Sequence, residues 1–189
     1  MQKFKWIGCS SGAGVLLLGL ILLSGQFLPF GSAHAQTTKV STPTQHAAQE
    51  AVKEIVVSIS KQWMDVYQNG QEVYNTPVTT GSPSLPTPLG TYHIFYKVSP
   101  TVFRSPFPRK SKYWYPPVKI QYAMEWKAGG FFIHDAWWHT TYGPGTNVMH
   151  YDPAYGWQEG SHGCISVPLD AAKWLYSWTT IGTTVKVVA

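Results

Sequence analysis

Past the first fifty residues, apolar positions fall in short alternating runs punctuated by Gly, Pro and Asn, a period that predicts strands rather than helices. Residues 55–60 (IVVSIS) are β-branched and open the pattern. Residues 62–67 alternate, Asn69-Gly70 is the favoured pair for a type I′ turn, and residues 71–74 return as a third strand. Residues 91–98, 118–124 and 130–134 read as further strands, and residues 183–188 as the last. One stretch carries helical spacing instead. From Ser166 as N-cap, with Pro168 in the first turn, residues 166–178 place Ala171, Trp174, Leu175 and Trp178 on one apolar face. The expected fold is mainly β, a sandwich or barrel-like sheet system with long loops and one C-terminal helix packed on a sheet.

The loops carry their own information. Residues 79–90 hold Gly81, Pro83, Pro86, Pro88 and Gly90, enough to fix a structured turn without regular pairing. Residues 99–117 mix Arg104, Arg109, Lys110 and Lys112 with Phe103, Phe107, Tyr113, Trp114 and Tyr115. An irregular stretch of that length in a compact domain reads as a binding loop or lid. Arg104, Arg109, Lys112 and Trp114 are its candidate ligand contacts, the alternative being a solvated loop that caps the sheet. Residues 135–160 are loop-like and aromatic as well.

The 189 residues leave room for one domain and an appendage. Lys3 and Lys5, the apolar run 15–23 and Ser32-Ala33-His34-Ala35 form the basic, apolar and small-x-small parts of an export leader. Cleavage after Ala35 is the expectation, with an uncleaved membrane anchor as the alternative. Residues 36–53 read as a polar linker and residues 54–189 as the domain, exported to the cell envelope. Fourteen Lys and Arg against nine acids give a net charge of +5, and loss of Lys3 and Lys5 leaves +3. No basic cluster is dense enough to argue for nucleic acid.

Loss of the leader removes Cys9 and leaves Cys164 as the lone thiol of an exported chain. Such a thiol cannot close an internal disulfide, so it is a liability or a working part. It stands in Ser161-His162-Gly163-Cys164-Ile165-Ser166, with His134, His139 and His150 upstream. A nucleophilic cysteine needs a base within hydrogen-bond reach and donors for the oxyanion. His134 at a strand end is the candidate base, with His139 as competitor, and the glycine turn at Gly163 lets backbone amides converge on the carbonyl under attack. A zinc hydrolase drawing ligands from His134, His139, His150, Asp152 and His162 is the enzymatic rival. An exported binding or structural domain with a degenerate site is the non-enzymatic one.

Over roughly residues 54–188 the chain resembles the L,D-transpeptidase catalytic domain (YkuD-like) of bacterial cell-wall enzymes. The resemblance rests on His134 at the end of Phe132-Ile133-His134, the Ser161-His162-Gly163-Cys164 box, and the Thr87-Pro88-Leu89-Gly90 turn. It implies Cys164 as nucleophile, His134 as base, the Asp135 carbonyl as orienter of the imidazole, and the Gly163–Cys164 main chain as oxyanion donor. Tyr113 or Tyr115 would add a hydroxyl, and His162, Ser161 and His139 would line or support the site. No metal or other cofactor is implied. The implied partners are the donor and acceptor stem peptides of peptidoglycan, joined in 3→3 cross-links. With water as acceptor the same site would act as an L,D-carboxypeptidase. Two features depart from the family: Ser166 replaces its Asn, and residues 140–160 lengthen the interval between His134 and Cys164 as a lid insertion.

Overall fold

The computed structural model describes residues 51–189. The expected leader at residues 1–35, and residues 36–50 of the linker, lie outside the described residues. Strands β1 (Lys53–Ser58), β2 (Trp63–Gln68) and β3 (Gln71–Pro77) form the expected meander. Asn69 and Gly70 both take positive φ, at 53° and 79°, as a type I′ turn requires. β1 begins at Lys53, inside the span read as linker, because Lys53 pairs with Gln68 across the meander.

Strand β13 (Thr184–Val188) adds parallel to β1, and β4 (Gly90–His93) adds antiparallel to β13, giving a sheet of order β3-β2-β1-β13-β4. A second sheet runs β12 (Ile165–Val167), β9 (Phe131–Asp135), β8 (Ala123–Lys127) and β5 (Tyr96–Val98). Alternate residues of the two sheets close one core: Ile55, Val57, Met64, Val66, Val185 and Val187 with Met124, Trp126, Ile133, Ile165 and Val167. Each such side chain contributes about 1.5–3 kcal/mol on burial. The strand period thus becomes a β-sandwich.

Helix α1 (Leu169–Trp178) buries Ala171, Ala172 and Leu175 in the same core. Trp174 stacks on Tyr74 with ring centroids 4.3 Å apart, and the Trp178 indole N–H donates to Gln68 Oε1 at 2.9 Å. The helix has no basic residue in its last turn. Lys53 from β1 and Lys97 from β5 supply that charge, donating to the carbonyls of Trp178, Tyr176 and Thr179 at 2.6 Å, where a cation complements the helix dipole. Among the described residues no helix is long and apolar enough to cross a membrane.

Three sequence expectations change. Ser166 does not cap the helix: it lies buried in β12, and Pro168 holds the cap position with no side-chain capping bond. Ser166 pairs in register with His134 on one side and exchanges two 2.9 Å backbone bonds with Thr79 on the other, so its strand pairing is complete. The run 91–98 is two strands. Ile94 N–H bonds Thr183 and Phe95 N–H bonds Glu125, so the chain passes from one sheet to the other between them. The run 118–124 also splits, into β7 (Val118–Ile120) and β8, because the Gln121 and Tyr122 amides turn to the buried Asp135 carboxylate at 2.9 and 2.7 Å.

The long loops are anchored at both ends. Strand β6 (Thr101–Phe103) pairs with β7 and clamps residues 104–117 as the loop of a hairpin. Within residues 135–160, β10 (His150–Asp152) pairs with β11 (Gly156–Gln158). Asp152 holds this hairpin. Its carboxylate accepts the Thr140 amide and hydroxyl at 2.7 and 2.8 Å, the Ala154 amide at 2.9 Å, and the Thr141 and Tyr155 amides at 3.1 Å. Burial opposes its charge, yet these donors outweigh it and hold the carboxyl well below the usual carboxylate range. Asp152→Ala is therefore expected to speed limited proteolysis within residues 140–160 by about tenfold at pH 7. Because the folded value is lowered, the stabilisation is present above about pH 4 and is lost as pH falls through that lowered value. The wild-type hairpin should therefore keep its protection at pH 5, and cleavage equal to the variant's at that pH would contradict this role.

Candidate active site

The strand pairing β12–β9 builds the site. Parallel register sets Ile165 against Ile133 and Ser166 against His134, so Cys164 enters β12 alongside the strand that carries the histidine. Both side chains line one cleft of about 350 Å³, walled by Phe103, Tyr115, Trp137 and Trp138 among others.

The backbone before the thiol is fixed by the 79–90 loop. Ser161 N–H donates to Thr80 O and Ser82 N–H to Ser161 O, both at 2.9 Å. Thr87 receives the Gly81 amide at 2.8 Å and donates its hydroxyl to Gly163 O at 3.1 Å. Gln62 braces the same loop from beneath, bonding the Thr80 hydroxyl at 2.7 Å and its amide at 2.8 Å. Gly163 has φ +104°, and a Cβ there would lie 2.7 Å from the Phe131 ring, so the turn into Cys164 needs glycine on both counts.

The Ser161 hydroxyl accepts the Gly163 amide at 3.0 Å and donates to Cys164 O at 2.5 Å. The Gly163 N–H expected at the oxyanion is thus already engaged. Among the described residues the Cys164 N–H has no hydrogen-bond partner. The sulfur itself takes the Phe132 amide at 3.5 Å and donates to Gly130 O at 3.4 Å. Burial pushes the thiol up to about 11, although the Phe132 amide works the other way. Cys164 is therefore a neutral thiol at pH 7.

His134 is 3% exposed, and its Nδ1 lies 2.8 Å from Asp135 O, a carbonyl that can only accept. Nδ1 therefore carries the proton and Nε2 is left as the basic nitrogen. Burial lowers its pKa, with the Asp135 carbonyl and carboxylate opposing, so the ring is neutral at pH 7. Phe103 packs edge-on against the imidazole at 5.1 Å and holds its plane.

His139 also lines the cleft, but its Nδ1 is buried with no partner among the described residues. Burial, then the nearby His150, lower its pKa to about 4. His150 bonds Val148 O through Nδ1, and its Nε2 is likewise buried and unpaired. The rings lie 6.5 Å apart. With all of Asp152's oxygens taken by its own hairpin, the zinc alternative finds no ligand set: among the described residues no three metal-binding side chains converge.

Tyr115 and Tyr113 separate. Tyr115 lines the cleft, where burial and then the neighbouring Cys164 raise its pKa, and its hydroxyl donates to Arg104 O at 3.3 Å. Tyr113 instead meets His162, which sits among Phe107, Tyr113 and Tyr115 with ring centroids 5.2–6.3 Å away. His162 thereby seats the 104–117 loop against the cysteine turn. Arg109 and Lys112 lie over the rings of Trp114 and Tyr113 at 5.6 and 4.7 Å. Ser166 is buried at the cleft wall, in the place expected for Asn.

Sequence reasoning did not find the Phe132 amide and Gly130 carbonyl at the sulfur, nor Glu159 at the cleft mouth. Main-chain groups leave no mark in a sequence. Glu159 does stand immediately before Gly160-Ser161, and that position was the available signal.

Two packed sheets thus bring Cys164 and the carbonyl-bonded, neutral His134 to one aromatic cleft. The chain belongs to the L,D-transpeptidase catalytic domain family, whose model matches residues 52–187. It is 30% identical over 136 residues to L,D-transpeptidase 1 of Mycobacterium tuberculosis, covering 70% of this chain and 49% of that protein. The chain thus spans about half the length of the curated relatives it matches. Among solved structures, an L,D-transpeptidase from Mycobacterium smegmatis superposes with a TM-score of 0.61 at 26% identity, covering 74% of this chain and 59% of that one. An L,D-transpeptidase solved in complex with imipenem gives 0.61 at 29% identity, covering 73% and 59%.

Proposed function

We propose that the chain is an exported cysteine L,D-transpeptidase that forms 3→3 cross-links between peptidoglycan stems through a Cys164 thioester. One observation carries the reading: the His134 Nδ1–Asp135 carbonyl bond at 2.8 Å, which leaves the basic Nε2 in the cleft that Cys164 shares. The family membership supports the substrate class, and the leader-like residues 1–35 support export to the cell envelope.

The reaction balances on this chain's own groups. The Cys164 sulfur attacks the carbonyl between the L-centre and the terminal D-Ala while its proton passes to His134 Nε2. The Cys164 N–H stabilises the oxyanion, the kind of contact worth about 3–4 kcal/mol. Collapse breaks the C–N bond, and the leaving D-Ala amine takes the proton from His134. An acceptor amine then attacks the thioester and gives its proton to His134. The C–S bond breaks and the sulfur recovers that proton. Because thiol and imidazole are both neutral at rest, proton transfer accompanies attack rather than preceding it.

The test is a product analysis. The protein is incubated with a tetrapeptide stem that carries a diamino acid and ends in D-Ala, and the products are resolved by mass spectrometry. A dimer joined from the L-centre carbonyl to a side-chain amine is expected. Tripeptide alone would make the chain an L,D-carboxypeptidase, and unchanged substrate would favour a wall-binding domain.

A further inference from the structure

The cleft is aromatic and nearly uncharged. Phe103, Tyr115, Trp137 and Trp138 form its walls, and His134 and His139 are neutral at pH 7. Among the residues that line it, Glu159 alone carries a fixed charge. It is exposed, and its charge reaches the neighbouring His162, where it opposes the burial that lowers that imidazole's pKa.

Glu159 is also held in place. Gln158 before it ends β11. Gly160 after it has no room for a Cβ, which would fall 2.7 Å from Asn147 O and Thr80 O and 2.8 Å from Ser82 N. The Ser161 amide is then tied to Thr80 O at 2.9 Å. Backbone anchored on both sides thus sets Glu159 five positions ahead of Cys164, at the mouth of a low-dielectric cleft. The chain carries a net positive charge, +3 without the leader, so a negative potential at this cleft is a local feature. Trp137, 59% exposed, and Trp138 offer ring faces on the same cleft, a second attraction for an ammonium group.

We infer that Glu159 is the recognition carboxylate for the acceptor: it draws a primary alkylammonium to the cleft mouth and holds it beside the thioester. The inference rests on the proposed transfer reaction and assigns its second substrate a site. The carboxylate is not consumed. The ammonium yields one proton to solvent, and the free amine forms the new C–N bond. Its second proton passes to His134, and the departing sulfur takes that proton as the C–S bond breaks. Water carries no charge and gains nothing from Glu159, so the residue favours transfer over hydrolysis.

The test compares two acceptors with one L,D-tetrapeptide donor at pH 7: N-acetyl-lysinamide, which is cationic, and hydroxylamine, which is uncharged. Glu159→Gln is expected to raise the KM for N-acetyl-lysinamide by about three- to tenfold, leave that for hydroxylamine within twofold, and increase the tripeptide fraction. Glu159→Asp should restore part of the discrimination, and raised salt should erode it in the wild type alone. Equal effects on both acceptors, or none, would overturn the inference while the transfer reaction stood. A wild type that releases no D-Ala would instead overturn the transfer reaction, and the acceptor site with it.

Discussion

Cys164→Ala is expected to reduce D-Ala release from an L,D-tetrapeptide by at least about a thousandfold, to the rate of the peptide alone. The size follows from the role. Without the sulfur no covalent intermediate forms, and the cleft offers no second nucleophile on the same turn: the Ser161 hydroxyl is committed to Cys164 O and the Gly163 amide. The substitution should leave the fold intact. Cys164 is only partly buried, and its side chain makes two long contacts, at 3.4 and 3.5 Å. A thermal midpoint within a few degrees of the wild type, together with the activity loss, separates chemistry from unfolding. Residual release within tenfold of the wild type would remove Cys164 from the mechanism.

His134→Gln should lower acylation by about 10²–10⁴-fold, the range for loss of a general base. His139→Gln should cost less than tenfold, because His139 has no carbonyl to orient it and its pKa of about 4 makes it a weak base. The pH profile adds a signature. Burial lowers the His134 pKa below its ordinary value of about 6.5, so the basic form persists below that pH and activity falls only as pH drops through the lowered value. At the other end the thiol is pushed up to about 11. Alkylation of Cys164 by iodoacetamide should therefore keep accelerating beyond pH 9. A plateau between pH 5 and 7 would instead reveal a resting thiolate–imidazolium pair.

Much of this was legible in the sequence where one residue carries its own signal. The alternation of Ile55, Val57, Met64 and Val66 and the Asn69-Gly70 turn predicted the meander, and Ser161-His162-Gly163-Cys164 marked the glycine turn that brings Cys164 to the cleft. What failed depended on partners distant in the chain. Ser166 followed by Pro168 has the local form of a helix start, but pairing with β9 and with Thr79 makes it strand. The passage between sheets at Ile94 and Phe95 is hidden because the apolar alternation runs on through it. Asp152 near two histidines resembles a metal ligand in sequence, yet its own hairpin fills both oxygens. That Glu159 is the one fixed charge among the cleft's lining residues is a property of the assembled cleft, and no local pattern encodes that.

The central claim is that Cys164 becomes acylated by a stem peptide. It is tested most directly by intact-mass measurement of the protein mixed with an L,D-tetrapeptide and quenched in acid. The account predicts a species heavier by the tetrapeptide minus D-Ala, mapping to Cys164 after digestion and absent from Cys164→Ala. The wild type's mass staying unchanged while D-Ala is released, or the same adduct on Cys164→Ala, would contradict it.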